Sequence, residues 1–213
     1  EFNAFRDVMC FVDDFNGDVI DLNYWSVEQQ GGTGDEDFAT NITQGAVTGT
    51  GAIQSDPGTT DNNAVSLIGP IIYKGDNHAG MWCRFSVDDV TDWNFEIGFI
   101  DAKPGSNASG VTDIDTPTAV ASNIAVVQLD TDQTLDMAFL TKGSTANQSV
   151  KATTMASCTP VNATYMEVMV QLIGDDAFAH ASGPGATGSS VVAHNVRVGN
   201  NIAGFHEGGT ALA

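Results

Sequence analysis

Positive charge is scarce in this chain. Seven Lys and Arg stand against 27 Asp and Glu over 213 residues, a formal net charge of −20 at pH 7. Neutralising nucleic-acid phosphates takes clustered Lys and Arg, so the balance argues against nucleic acid as a partner. It argues equally against an anionic membrane surface. No apolar run reaches the ~18 residues a membrane helix needs. Glutamate is sparse too: six Glu accompany 21 Asp. A helical protein of this charge would favour Glu, Lys and Leu, whereas Asp favours turns and loops. Cysteine is limited to Cys10, Cys83 and Cys158, which cannot all pair internally. Cys83 lies in an alternating pattern and reads as a buried free thiol; one disulfide plus a free thiol is the alternative. No CxxC spacing supports zinc or redox chemistry.

Catalytic signatures are missing as well. His78, His180, His194 and His206 are dispersed, with no HxH or HExxH among them, and GxSxG and GxxxxGK[ST] do not occur. The chain is therefore expected not to be an enzyme and to carry no cofactor. What is present is 42% apolar residues, enough to bury a core, together with 23 Gly and abundant Thr, Asn and Ser. This is the composition of many short strands joined by polar turns.

The strands can be placed by alternation. Residues 64–73, AVSLIGPIIY, form an apolar run broken at Gly69-Pro70, which predicts a sheet edge or a bend. Residues 81–87, MWCRFSV, put Met81, Cys83, Phe85 and Val87 on one face and Trp82, Arg84 and Ser86 on the other. Residues 93–101 repeat the pattern with Trp93, Phe95, Ile97 and Phe99, and the intervening DDVTD suggests a hairpin. Further strands are expected at 123–130, 135–142, 148–155, 164–173 (Met166, Val168, Val170 and Leu172 inward), after GDD at 174–176, and at 190–200. Antiparallel strands of this spacing predict an all-β sandwich or jelly roll. Trp82, Arg84, Glu96, Tyr165 and Glu167 fall on its outer faces, where Glu96 is expected to face solvent.

The segments DDFNGDVIDLNYW (13–25), GMWCRFSVDDVTDWNFEIGFIDA (80–102) and ATYMEVMVQLIGDDAFAHASG (163–183) resemble the opening strand, core hairpin and late strand pair of concanavalin A-like, laminin G-like jelly rolls. Within that fold the chain is similar to the jelly-roll decoration, or cement, proteins of tailed-bacteriophage heads. The resemblance implies one domain over residues 13–213 with an N-terminal arm at 1–12. It also implies a place on the virion exterior, otherwise an extracellular one. Partners would be the major capsid protein and further copies of the chain as a dimer or trimer. Phe2, Phe5, Met9 and Trp82 are the expected contact residues. Such jelly rolls commonly close with an aromatic or Val-rich terminal strand. This chain ends in AGFHEGGTALA, so that strand is expected to be missing, supplied differently or contributed by a neighbour.

Two other functions stay open. The fold often hosts lectins, and Trp25, Trp82 or Trp93 could stack on a sugar; Trp82 is the best placed, since Trp93 reads as core. β-Glucanases of the fold use Glu-x-Asp-x-Glu, in which alternation projects every acid into one cleft. Here Glu96 is followed by Gly98 where the helper Asp would stand, and Asp101 has the opposite parity. Calcium has hard-oxygen candidates in Asp13, Asp14, Asn16 and Asp18, and weaker pairs at Asp113/Asp115 and Asp130/Asp132, although an EF-hand's closing Glu is lacking. Sequons stand at Asn41, Asn107, Asn147 and Asn162.

Overall fold

A computed structural model describes residues 21–30, 64–87, 90–91, 93–101, 123–131, 136–143, 151–155, 158–183, 189–193 and 201–209. They form strands β1 (Ser26–Gln30), β2 (Ala64–Tyr73), β3 (Gly80–Phe85), β4 (Trp93–Ile100), β5 (Ile124–Asp130), β6 (Ala138–Lys142), β7 (Lys151–Thr154), β8 (Met166–Ile173), β9 (Asp176–Ser182), β10 (Ser189–Ala193) and β11 (Asn201–Gly209). The one helical piece among the described residues is a 3-10 turn, Gly75–Asn77. A seven-stranded sheet runs β1-β2-β11-β4-β5-β6-β7 and a four-stranded sheet runs β10-β9-β8-β3. Every pairing is antiparallel, as the residue pattern predicts for a jelly-roll sandwich.

Alternation builds the core. Phe95, Ile97, Phe99, Val127, Leu129 and Phe139 point inward from the large sheet. They meet Met166, Val168, Val170 and Leu172 of β8 and Ala177, Ala179 and Ala181 of β9. The three alanines leave room for the phenylalanine rings opposite, so bulk on one layer is matched by its lack on the other. Each fully buried Phe contributes about 1.5–3 kcal/mol. Strand β8 shows the expected alternation: its four inward residues are buried, and Glu167, Met169, Gln171 and Ile173 between them are not.

Three expectations are corrected. The alternating segments at 81–87 and 93–101 are not a hairpin. β3 pairs with β8 in the small sheet, whereas β4 lies between β11 and β5 in the large one. Their apolar faces meet across the sandwich, where the Phe85 and Phe95 rings lie 4.9 Å apart. The two segments therefore belong to different layers. The closing strand is not missing: β11, drawn from the glycine-rich end of the sequence, sits between β2 and β4. Finally, β2 is one continuous strand second from its edge, in spite of Pro70. β1 pairs only with Ala64–Ile68, so Pro70 lies beyond its reach, and the β11 side shows register shifts between Asn201 and Gly204. The proline thus occupies an irregular, half-unpaired stretch of an interior strand, as its missing N–H requires.

Two close approaches hold the end of the small sheet. Gly174, with φ +58, opens the two-residue turn of the β8–β9 hairpin, where a left-handed first position suits glycine. Its N–H donates to the Gly75 carbonyl at 2.9 Å, while a Cβ on Gly75 would stand 2.1 Å from the Gly174 oxygen. The 3-10 turn before β3 is thereby locked against the hairpin.

Candidate functional site

The outer face of the four-stranded sheet is open to solvent. β3 presents Gly80, Trp82 and Arg84, all exposed, while Met81, Cys83 and Phe85 turn toward the core. Register sets Trp82 beside Met169 of β8, Met169 beside His180 of β9, and His180 beside Ser190 of β10. One row therefore crosses the whole sheet. The next row pairs Arg84 with Glu167, whose neighbour is Ser182. Trp82 is 61% exposed, Tyr165 42% and Met169 38%. Large apolar side chains gathered on one open face of a soluble protein mark a contact surface more often than scattered ones do.

Local interactions fix this face. The Arg84 guanidinium lies over the Tyr165 ring, 4.5 Å from its centre, a cation–π contact that orients both groups. His180 Nδ1 and the Ser190 hydroxyl are 2.8 Å apart. The result is a flat platform of two aromatic rings with charged and neutral hydrogen-bonding groups between and beside them. Trp82, Arg84, Tyr165 and Glu167 were legible as outward residues; Met169 and His180 were not singled out, although the alternation of β8 and β9 carries them. Ser190 sits at the start of the strand expected at 190–200, and only the pairing with β9 brings it to this face.

The outer face of the large sheet is different. All seven residues of β5 are buried, so both faces of the sheet are withdrawn from solvent there. Glu96 is 4% exposed, which corrects the expectation that it faces solvent. Around it on the same face lie Ser66, Asn94, Gln128 and Asp130, all buried. Asn94 stands opposite Asp130 and Glu96 opposite Gln128, while the backbone of His206 is in register between Ser66 and Glu96. Both polar atoms of the Asn94 side chain lack a hydrogen-bond partner among the described residues. Among the described residues the glucanase arrangement is not assembled around Glu96. Gly98 takes the helper position at φ +149, and Asp101, beyond the end of β4, accepts a hydrogen bond from the Asn123 amide.

The remaining expected residues divide between those described and those not. Phe2, Phe5, Met9, Cys10, Asp13, Asp14, Asn16, Asp18, Asp113, Asp115 and Asp132 lie outside the described residues, as do Asn41, Asn107 and Asn147. Asn162 is exposed, and its side-chain oxygen accepts the Val90 N–H at 3.0 Å. Among the described residues no group of three or more His, Cys, Asp or Glu side chains is placed to hold a metal. Trp25 meets the Tyr24 ring edge-on at 5.0 Å. The Tyr24 and Tyr73 hydroxyls are 2.6 Å apart, and burial, then that contact, pushes the Tyr24 phenol up. Cys83 and Cys158 are free thiols. Cys83 packs against the core and is raised by burial to about 11. Cys158 is buried, donates to the Ala181 carbonyl at 3.3 Å, and is likewise raised by burial.

No protein-family model matches this chain, and no curated protein matches it in sequence. Solved structures do. The legume lectin-like domain from Entamoeba histolytica has a TM-score of 0.54 at 6% identity, covering 89% of this chain and 83% of that one. The Lotus tetragonolobus seed lectin has a TM-score of 0.53 at 11% identity, covering 89% and 87%. The Bacillus licheniformis β-glucanase has a TM-score of 0.54 at 8% identity, covering 94% and 85%. At such identities the likeness concerns the fold, which is the concanavalin A-like sandwich shared by lectins and β-glucanases.

Proposed function

We propose that this protein is a non-enzymatic, lectin-like binding module that holds uncharged carbohydrate on the outer face of the four-stranded sheet, with Trp82 as the stacking platform. The observation that carries this reading is the 61% exposure of Trp82 on an open, flat face beside Tyr165, Arg84 and Glu167. An aromatic ring offers its face to the C–H side of a sugar ring, and neighbouring polar side chains take up the hydroxyls. A net charge of −20 repels polyanionic glycans, which leaves neutral ones. Bond cleavage is not part of the proposal, because Glu96 is buried and Gly98 replaces the helper acid.

The test is a panel of neutral and acidic polysaccharides followed by intrinsic tryptophan fluorescence, with calcium and with EDTA. Neutral glycans should shift the emission, and Trp82→Ala should weaken binding strongly while leaving the far-UV spectrum unchanged. Absence of binding across the panel, with and without calcium, overturns the reading. A calcium requirement would point to the oxygen-rich segment at 13–18.

A second reading, decoration of a viral shell from outside, is favoured by one feature of the same face: Met169 and Ile173 extend it with exposed apolar surface suited to protein docking. It expects a dimer or trimer by light scattering and co-sedimentation with purified capsid shells. A monomer that ignores shells would sink it.

A further inference from the structure

We infer that the four-stranded face takes a linear oligosaccharide chain and not a single sugar; this rests on the carbohydrate reading above and goes beyond it in naming the ligand class. Two aromatic platforms lie on the same face at different levels of the sheet. Trp82 is on β3, the edge strand of this sheet among those described, and Tyr165 immediately precedes β8, beside β3. Register places Arg84 opposite Glu167, and Tyr165 lies two residues before Glu167 on the neighbouring strand. Four residues of strand rise and one strand spacing then separate Trp82 from Tyr165, an interval of about 14 Å between Cα atoms. One pyranose ring cannot touch both platforms, whereas an extended chain of several rings laid diagonally over the two strands can.

What lies between the platforms suits the middle of such a chain. Arg84 and Glu167 are cross-strand neighbours of opposite charge, so the centre of the path is rich in donors and acceptors without net charge of its own. That balance, within a chain of net charge −20, selects a neutral polymer over a polyanion. Arg84 also caps one face of Tyr165 at 4.5 Å and holds that ring in place before any ligand arrives. A platform ordered in advance loses less freedom on binding. Arg84 is accordingly a positioning residue for the second platform, and Trp82 anchors the first.

The experiment is isothermal titration calorimetry of the full chain with cello-, xylo- and manno-oligosaccharides from one to six residues long. Affinity for the sugar that binds should rise about tenfold or more between the disaccharide and the longer oligomers. Tyr165→Ala should remove most of that rise and cost the longer oligomers far more affinity than the disaccharide. Tyr165→Phe should keep the rise, and Arg84→Ala should reduce it only for the longer chains. Trp82→Ala should lower affinity at every length. Equal affinity for monosaccharide and hexasaccharide, or a Tyr165→Ala loss that is the same at every length, overturns this inference and leaves the carbohydrate reading standing. Failure of every sugar at every length overturns both. All three altered side chains are exposed or at the surface, and unchanged thermal unfolding of each variant separates loss of binding from loss of fold.

Discussion

Gly98 occupies a place where a side chain has neither a conformation nor a space. Its φ is +149, and a Cβ would stand 2.3 Å from the Ala125 carbonyl oxygen on the neighbouring strand. Gly98→Ala should therefore destabilise the fold by about 3 kcal/mol, seen as a lower urea midpoint. In the sequence this glycine registers only as an absent acid, because a backbone angle leaves no trace in alternation. Asn94 gives the converse case. It is buried with both polar atoms unpartnered among the described residues, so replacing it by Leu should be neutral or stabilising by about 1 kcal/mol. A marked loss of stability would show that the amide makes a bond elsewhere. Cys83 sets a pH dependence. In the unfolded chain its thiol ionises near 9, whereas in the folded chain burial holds the proton until about 11. Through that window the unfolded state binds fewer protons, so stability present below pH 9 is lost as pH rises. Urea midpoints followed across this range should fall less steeply in Cys83→Ala than in the parent.

Among the elements, period-two alternation located β3, β4 and β8 and their inward faces, because each turns alternate large apolar residues to the core, and the turn at 174–176 announced β9. It could not reveal which strand lies beside which. β3 and β4 carry matching patterns and a short polar link, and those are also what two strands facing each other across a sandwich possess. β11 escaped detection for a different reason. Its sequence, NIAGFHEGG, is low in β-branched residues and high in glycine, so intrinsic propensity argues against the strand that tertiary pairing imposes. Its register runs along both β2 and β4. A chain terminated at Asn200 should therefore fail to give a cooperative unfolding transition, whereas trimming only residues 210–213 should leave the transition in place. The candidate binding face was half legible for the same reason. Trp82 and Arg84 show their outward parity within one strand, but their alignment with Tyr165 and Met169 depends on the β3–β8 pairing between distant segments.

For the molecule as a whole, the surplus of 20 negative charges opposes compaction, and few of the chain's cations can offset it. Salt screens this repulsion beyond a Debye length, which shrinks from about 20 Å at 20 mM salt to about 4 Å at 0.5 M. The unfolding temperature should therefore climb between those salt concentrations, and a flat or falling trend would mean that repulsion among the acids does not limit stability. The central position of β11 has a consequence for biosynthesis. Val65 bonds alongside Glu207, and Ile97 alongside Phe205. On a ribosome, the two halves of the large layer must wait with a gap between them until residues 201–209 emerge from the exit tunnel. During that interval each flank exposes a ragged, adhesive seam, the form of nascent polypeptide that chaperones shield.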